Sequence, residues 1–294
     1  MAIGNFDGVH RGHLALIDRC RAKAAAGESV VVATFEPLPQ AFFRSEFAPA
    51  RLTTVYQKLS CLKDAGVDLV WLMRFGKALA SLSARGFVEQ ALVSDLGGKC
   101  IVIGEDFRFG RGREGNAGLL REFGKQMGFT VETVAAVECR GQRISSSGNR
   151  EKLALGDFNA AAEYLGRPFT MEGRVVRGAE LGRKLGYPTA NLKIRAQPSP
   201  LQGVFAVFAR QAGGHWLPAV SNLGCRPAVG GQEPLLEVHF FDFDKDLYGQ
   251  RLEVQFVAKL RDELDFESMD ELVDQMKRDE EQARTCLAQA TMPR

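Results

Sequence analysis

The stretch that decides the fold of the N-terminal half is G-N-F-D-G-V-H-R-G-H, residues 4–13, which runs directly into L-A-L-I-D-R-C, residues 14–20. The second run has the apolar spacing of a helix, and the first has the glycines of a tight turn after a strand. Unpaired N–H groups at a helix start attract phosphate. We expect His10 and His13, three residues apart, to face that ligand and to stabilise charge on a reacting phosphoryl group. For a bare H-x-x-H, the alternative is a helix cap formed by chance.

Beyond this stretch, the first half alternates β-branched runs with helical patterns. The runs cover residues 30–35, 67–75, 100–104 and 130–134, and the helical patterns cover 53–65, 87–92 and 119–127. This rhythm predicts βαβ units around a parallel sheet, which binds ligands beyond the carboxyl ends of its strands. Loops 4–13 and 104–115 lie there. In the second loop, the rings of Phe107 and Phe109 could stack on a planar ligand and Asp106 could order the loop or a metal; a hydrophobic loop anchor is the alternative.

The pattern changes near residue 167, after two short helical stretches at 150–155 and 158–165. Strand-like runs then follow one another without intervening helices, at 173–176, 203–208, 217–220, 236–240 and 252–257. This half is expected to form an antiparallel sheet or small barrel. The amphipathic stretch 269–290 is expected to close the barrel as a helix.

Composition excludes several classes of protein. The formal net charge of +2 lacks the basic excess of a non-specific nucleic-acid binder. The chain has no apolar run long enough for a membrane helix and no signal peptide at its start, which favours the cytoplasm. Its six cysteines form no C-x-x-C pair, so we expect buried free thiols rather than a zinc ribbon or a disulfide scaffold.

The most specific segment spans residues 173–192, with a strand, a glycine-rich basic loop and a turn at P-T-A-N, 188–191. Glycines at 178, 182 and 186 would let backbone amides reach phosphates, and Lys184 would add a charge. Thr189 and Asn191 offer the hard oxygens that Mg²⁺ prefers. The spacing is not that of a Walker loop, so alone it indicates only an anion-binding turn.

Together these motifs resemble the prokaryotic bifunctional riboflavin kinase/FMN adenylyltransferases, also called FAD synthetases. The resemblance rests on H-x-G-H at 10–13, T-F-E-P at 34–37, G-E-D-F-R-F-G at 104–110, I-S-S-S at 144–147 with Arg150, and P-T-A-N. It covers essentially the whole chain. It implies a Rossmann-like α/β nucleotidyltransferase domain with a parallel sheet over residues 1–166. A small antiparallel β-barrel riboflavin kinase domain with a C-terminal helix would follow over 167–294.

The resemblance also implies roles for individual residues. His10 and His13 would act in adenylyl transfer and Glu237 would be the base of the kinase. ATP in the first domain would contact Gly4, Asn5, Phe6, Asp7, Gly8, Gly12, Ser145, Ser146, Ser147 and Arg150, with Asp106, Phe107 and Phe109 on the FMN side. ATP in the kinase would contact Gly178, Lys184, Thr189 and Asn191, the last two through Mg²⁺, and the flavin would contact Arg226, Tyr248 and Arg261. Without the resemblance, Glu237 reads as a solvated strand residue.

The expected activity is phosphorylation of riboflavin to FMN and adenylylation of FMN to FAD, with ATP as co-substrate and no nucleic-acid, membrane or obligate protein partner. Relatives carry a further stretch before the first strand, an apolar residue at the position of Asn149, His in place of Leu38 and Thr in place of Ala228. Losing part of a central strand removes ladder hydrogen bonds beneath the loop. Two alternatives therefore stay open: a riboflavin kinase with an impaired first domain, and a non-catalytic flavin- or nucleotide-binding regulator.

Overall fold

A computed structural model describes residues 1–44, 48–178, 185–194, 198–228, 231–243 and 245–293, without the side chains of 225–228 and 231–233. The chain forms two compact units. The first comprises residues 1–49 with 53–146, and the second comprises 50–52 with 147–294. The first unit holds a parallel sheet and the second holds a closed antiparallel barrel with a final helix, which confirms the predicted fold class.

The parallel sheet has five strands among the described residues, in the order β3-β2-β1-β4-β5. Their bounds are β1 Ala2–Ile3, β2 Val31–Glu36, β3 Leu69–Arg74, β4 Cys100–Gly104 and β5 Thr130–Val134. The short β1 lies at the centre, with Ala2 opposite both Val32 and Val102. Because β1 leads directly into the segment at 4–13, that segment leaves the sheet at the carboxyl end of its middle strand.

Helices cover both faces of this sheet. They are α1 Arg11–Lys23, α2 Pro39–Phe43, α3 Val55–Asp64, α4 Lys77–Ser81, α5 Ala84–Phe87 continued by a π-helical turn Val88–Ser94, and α6 Ala117–Met127. The strands alternate between two apolar clusters, with Ile101 in one and Val102 in the other. Burial on both faces explains why the strands read as continuous apolar runs. A short hairpin, β6 Glu138–Cys139 and β7 Gln142–Arg143, completes the unit.

The second unit begins with two helices and then closes six strands into a barrel. The helices are α7 Ser146–Ala154, whose first residue is assigned to the first unit, and α8 Phe158–Leu165. The strands, in barrel order, are β10 Gly203–Gln211, β11 Leu217–Ala228, β12 Gly231–Phe240, β9 Ala190–Lys193, β8 Thr170–Val176 and β13 Arg251–Arg261. The turn predicted at P-T-A-N is therefore wrong for Ala190 and Asn191, which lie within β9 between β8 and β12.

Alternate residues of the barrel strands face its interior and the last helix, α9 Met269–Gln289. Phe205 and Val238 belong to the interior cluster, whereas Phe208 packs with Ala283 and Leu287 of α9. Since Val238 points inward, Glu237 points to the outer face of the barrel. Without the family resemblance such a position reads as solvated, but α9 lies over the outer face near Glu237, as described below.

The cysteines are free, as expected, within the part of the chain whose side chains are described. Their burial was predicted correctly only for Cys20, where burial also raises the pKa of the thiol. Cys61, Cys100, Cys139 and Cys286 are half-buried.

No helix among the described residues is both long and apolar enough to cross a membrane. The boundary at 166/167 stays a prediction; by contacts, α8 and most of α7 group with the barrel.

Candidate functional sites

In the first unit, the two histidines form a reciprocal cap at the start of α1. The His10 Nδ1 accepts the His13 N–H at 3.3 Å, and the His13 Nδ1 accepts the His10 N–H at 3.2 Å. Their rings stack with centroids 3.6 Å apart. When Nδ1 of a neutral imidazole accepts, its proton is on Nε2. The cap thus gives both rings an Nε2–H donor, so the capping alternative and the catalytic hypothesis describe the same geometry.

This arrangement also occupies backbone donors that the sequence analysis assigned to phosphate. Besides the amides of His10 and His13, the Gly8 N–H donates to Thr53 Oγ1 at 3.1 Å and the Val9 N–H donates to Phe6 O at 3.4 Å. The prediction that the amides at this helix start are unpaired is therefore wrong for His10 and His13, and the Gly8 and Val9 amides of the preceding loop are occupied as well. The imidazole Nε2–H groups of His10 and His13 are therefore the donors that the loop can offer to a phosphate instead of these amides.

The backbone of the loop is strained and is held from several sides. Phe6 has φ +48° and Val9 has φ +41°, values that are unfavourable for side chains with a Cβ. Asp7, which is 2% exposed, accepts from the Thr53 N–H at 3.3 Å. The Ser146 hydroxyl donates to the Asp7 carbonyl at 2.9 Å. These contacts join the loop to the residue before the α3 cap and to the I-S-S-S segment.

Gly12 and Gly4 are glycines for packing reasons. A Cβ at Gly12 would lie 3.1 Å from the His10 ring, and a Cβ at Gly4 would lie 3.3 Å from the Phe6 ring. Asn5, between Gly4 and Phe6, has an exposed side chain. The glycines therefore let the histidine ring and the Phe6 ring lie against the loop backbone.

The three candidate residues of the loop 104–115 differ in burial and in their contacts. Phe109 is 5% exposed and belongs to the apolar core, so the anchor alternative describes it. Phe107 is half-buried and stacks on Phe109 with centroids 5.7 Å apart. Asp106 is exposed and pairs with Arg143 at 2.7 Å. Phe107 and Asp106 thus remain candidates for ligand contact.

The serines and the arginine that follow them are distributed over the two units. Ser145 and Ser146 group with the first unit, where Ser146 contacts the loop, whereas Ser147 and Arg150 group with the second. The Arg150 Nε donates to the Ala50 carbonyl, also in the second unit. Asn149 is completely buried on α7. The closure of Ser147 and Arg150 on a triphosphate stays a prediction.

In the second unit, a cleft of about 300 Å³ lies between the outer barrel face and α9. Its lining is apolar on several sides, through Val204, Val220, Leu264, Phe266, Leu272 and Met276. Its polar lining comprises Tyr187, Thr189, Ser221, Asn222, Glu237, His239, Arg261, Glu263 and Asp279. Burial, followed by the nearby Glu280 carboxylate, raises the pKa of the Tyr187 hydroxyl. A mostly apolar cleft with convergent polar groups is typical of a site for a planar organic ligand.

Glu237 occupies the middle of a row of polar side chains across three strands. It lies opposite Asn222 on β11 and opposite Asn191 on β9. Directly opposed residues of antiparallel strands share one face, with Cβ atoms about 5 Å apart. The Oδ1 atoms of Asn191 and Asn222 are buried and have no hydrogen-bond partner within the described part of the chain. The row therefore presents acceptors beside the carboxylate.

The surroundings of Asn191 fit a magnesium ion. Its Nδ2 donates to the Thr189 carbonyl at 3.4 Å, which leaves Oδ1 as a buried oxygen that needs a partner. Gly178 supports this geometry, because a Cβ there would lie 2.6 Å from Nδ2 of Asn191. No group of three His, Cys, Asp or Glu is placed to hold a metal among the described residues. Mg²⁺ does not need one, since it binds through one or two protein oxygens together with phosphates and water.

The flavin candidates of the second unit differ in position. Arg261 lines the cleft and forms a two-point ion pair with Asp279 of α9, at 2.7 and 2.9 Å. Tyr248 lies outside the cleft lining, where the Arg177 guanidinium covers its ring at 5.5 Å. Arg226 on β11 lies opposite Glu233 on β12, and the structure does not describe its side chain. Lys184 also lies outside the described residues.

Comparison with known proteins decides the family. The family model for FAD synthetase matches residues 1–148 and that for riboflavin kinase matches residues 165–287. The chain is 45% identical to the bifunctional riboflavin kinase/FMN adenylyltransferase of Escherichia coli (strain K12), over 97% of this chain and 91% of the other. The chain belongs to the bifunctional riboflavin kinase/FMN adenylyltransferase family. The corresponding protein of Haemophilus influenzae is 42% identical, over 97% of this chain and 92% of the other.

A solved structure supports the fold over the full length of this family member. The crystal structure described as a macrolide-efflux protein from Streptococcus pneumoniae is 32% identical and superposes with a TM-score of 0.81. The match covers 96% of this chain and 93% of that one. Efflux is what that description says of the S. pneumoniae protein.

In this family member, sequence reasoning missed several residues at both sites. Lys58 and Thr53, from the region of α3, contact the histidine loop and belong to no motif. Thr34 on β2 donates to the Asn5 carbonyl of the loop; it belongs to T-F-E-P but was given no role of its own. In the cleft, Asp279 is 4% exposed on a helix whose polar residues read as solvated. The spacing of Gln275 and Asp279, four residues apart on the helix, was the available signal that Asp279 has a partner on its own face; the Gln275 Nε2 donates to the Asp279 Oδ1 at 2.8 Å.

Proposed function

We propose that the cleft of the second unit carries out the kinase reaction and that the histidine loop of the first unit carries out adenylyl transfer. The row of Asn222, Glu237 and Asn191 supports the first assignment, because Glu237 and Asn222 line a mostly apolar cleft and the buried Asn191 lies beside Glu237 on the next strand. The reciprocal cap of His10 and His13 supports the second. The observation that carries the proposal most is that these two constellations lie in different compact units.

In the kinase step, the Glu237 carboxylate accepts the proton of the primary hydroxyl of riboflavin. The hydroxyl oxygen then bonds to the γ-phosphorus of ATP as the bond to the bridging oxygen breaks, and ADP leaves. The apolar lining and the Arg261–Asp279 pair hold the flavin side of the cleft. Thr189 and Asn191 would hold Mg²⁺, which when bound neutralises charge on the phosphates.

In the adenylyl transfer step, a phosphate oxygen of FMN attacks the α-phosphorus of ATP and pyrophosphate leaves. His10 and His13 donate their Nε2–H groups to oxygens on which negative charge develops. Their Nδ1 atoms stay engaged in the cap, so the rings are oriented before the ligand arrives. Asp106 and Phe107 are assigned to the FMN side, and Ser145 and Ser146 to the triphosphate.

The substrates proposed are riboflavin, FMN and ATP, and neither step needs a nucleic acid, a membrane or a protein partner. The cytoplasm is the proposed location, since it supplies ATP and keeps the free thiols reduced.

The test supplies substrates one at a time to the purified chain. Riboflavin with MgATP should give FMN and ADP first and FAD later, and FMN with MgATP should give FAD and pyrophosphate. Leaving out Mg²⁺ should stop the kinase step. FMN without FAD would favour the kinase with an impaired first domain, and flavin binding without ATP consumption would favour the regulator. Either result would refute the two-activity proposal.

A further inference from the structure

His239 lies on β12, two residues beyond Glu237, and lines the same cleft. Alternate residues of a strand share a face, so the imidazole and the Glu237 carboxylate project to the same side of the barrel. The His239 Nδ1 lies 2.9 Å from the Pro188 carbonyl oxygen. Because a carbonyl oxygen can only accept, Nδ1 carries the proton and donates. A side chain of β12 therefore binds the backbone that leads into β9.

This contact lies where the pairing of β12 with β9 ends. The last pair in that direction joins Val238 to Ala190. Pro188, two residues before Ala190, has no N–H and so cannot extend the ladder as a donor. The His239 side chain supplies a hydrogen bond to the chain just beyond the last pair, and it thereby holds a segment that the backbone ladder does not reach.

The two peptides that flank Thr189 are each held by a side chain. The Pro188 carbonyl accepts from His239, and the Thr189 carbonyl accepts from the Asn191 Nδ2 at 3.4 Å. Because peptides are planar, fixing both of them fixes the direction of the Cα–Cβ bond between them. Only χ1 is then left to place the Thr189 hydroxyl. His239 thus helps to set where this oxygen lies relative to the Asn191 Oδ1.

The imidazole ring is itself held by two aromatic rings. Its centroid lies 5.1 Å from that of Tyr187 and 6.3 Å from that of Phe241. Phe241 is 4% exposed and belongs to the apolar cluster between the barrel and α9. The donor for Pro188 is therefore carried by a ring that packs on the core, so it is oriented before a ligand arrives.

Magnesium makes accurate placement of Thr189 important. Mg²⁺ requires nearly ideal octahedral geometry at short distances and takes only one or two protein oxygens. Groups that orient a metal ligand without touching the metal change metal affinity or activity about 10-fold to 100-fold when they are removed. Pro188 is exposed, and one hydrogen bond to its carbonyl contributes little to stability. The contact is therefore better explained by placement of Thr189 than by stabilisation of the barrel.

We propose that His239 is a positioning residue for magnesium in the kinase cleft: its Nδ1–H fixes the Pro188–Thr189 peptide and so holds the Thr189 hydroxyl where Mg²⁺ is to bind. This inference rests on the proposed kinase function of the cleft. It gives His239 no contact with the metal or with the reacting atoms.

The experiment compares His239→Asn, His239→Gln and His239→Leu in the full chain, with His215→Leu, at an exposed position of the same unit, as the matched control. The amide nitrogen of Asn is as many bonds from the backbone as Nδ1 of histidine, whereas that of Gln is one bond further, like Nε2. Asn therefore keeps the donor for Pro188, and Gln and Leu lose it.

Three measurements are made on each chain, together with its thermal unfolding. The rate of FMN formation is measured against the concentration of Mg²⁺ and against that of riboflavin. Amide hydrogen exchange of the segment 185–192, measured without ligands, reports on the anchor itself. Formation of FAD from supplied FMN reports on the first unit and serves as an internal control.

We expect His239→Gln and His239→Leu to raise the Mg²⁺ concentration for half-maximal kinase rate about tenfold, while the KM for riboflavin changes less than about twofold. The segment 185–192 should exchange faster in these two variants, and their unfolding temperature should stay close to that of the parent. His239→Asn should stay within about threefold of the parent in its Mg²⁺ dependence, because it keeps the donor but lacks the ring. His215→Leu should match the parent, and FAD formation should be unchanged in all four variants.

Four results would overturn the proposal. An unchanged Mg²⁺ dependence of His239→Gln would remove His239 from metal placement, and a rise in the KM for riboflavin instead would make it a flavin contact. A folded His239→Asn as impaired as His239→Gln would show that the Nδ1 donor is not what acts. Loss of folding in the Gln and Leu variants, or a lowered unfolding temperature with all kinetic constants impaired, would make the contact structural. A parent chain that forms no FMN would instead refute the proposed function of the cleft, and the exchange measurement would still report whether His239 holds the segment.

Discussion

Substituting Gly178 by alanine tests whether the oxygens of Asn191 must be placed accurately. A Cβ at Gly178 would lie 2.6, 2.7 and 2.8 Å from the amide atoms of Asn191, where ordinary contact begins at 3.4 Å. The nearest Asn191 atom must therefore withdraw by about 0.8 Å, a shift of the size that costs an enzyme up to about a hundredfold. Because Asn191 is 6% exposed and bonded to the Thr189 carbonyl, it cannot simply turn into solvent.

The expected result for Gly178→Ala is a tenfold to hundredfold loss of riboflavin kinase kcat/KM, or about 1.4 to 2.7 kcal/mol in the barrier. Formation of FAD from supplied FMN should be unchanged. Gly214→Ala, in an exposed hairpin of the same unit where the added Cβ would lie 3.3 Å from the Gln211 carbonyl oxygen and so needs a shift of only about 0.1 Å, is the control and should retain the parent rate. The rates are measured by chromatographic separation of flavins with saturating MgATP. A Gly178→Ala kinase within twofold of the parent would refute the role given to Asn191.

Two further predictions concern the stability of the second unit. Asp279→Ala leaves Arg261 without its ion-pair partner and should lower the free energy of unfolding in urea by about 3 kcal/mol. Asp274→Ala, at an exposed ion pair of the same helix, is the control and should leave that free energy almost unchanged. Equal effects of the two substitutions would contradict this prediction. Burial, then the Glu253 carboxylate, raises the pKa of Glu172. Its ionisation therefore costs stability as pH rises above about 4.5, and Glu172→Gln should be the more stable chain at pH 8 but not at pH 4 in thermal unfolding. An advantage that is the same at both pH values would exclude the titration.

The sheet strands and the longer helices of the first unit could be predicted because their pattern is local, whereas the short α2 and α4 and the β6–β7 hairpin were not predicted. The runs at 100–104 and 130–134 match β4 and β5 to the residue. Asn191 could not be placed, because β9 exists only through pairing with β8 and β12, which are distant in sequence. Glycine and proline before it favoured a turn, and tertiary pairing prevailed over that local signal.

The candidate sites were predictable in their motifs and not in their geometry. The spacing of His10 and His13 predicts one helix face, but the reciprocal cap depends on the backbone at the helix start. The burial of Lys58 has no signature in the pattern, because lysine on an amphipathic helix normally reads as solvated. Strand alternation alone left Glu237 on a solvated face, and only the family resemblance marked it as the base, because the cover supplied by α9 is a tertiary feature.

The most direct test of two separate sites is a reciprocal comparison of Glu237→Ala and His13→Ala. Each variant is given riboflavin with MgATP in one reaction and FMN with MgATP in another, and the flavins are separated by chromatography. We predict that Glu237→Ala forms no FMN but still converts supplied FMN to FAD, and that His13→Ala forms FMN but no FAD. A folded variant of either kind that lost both conversions would contradict the assignment of one reaction to each unit.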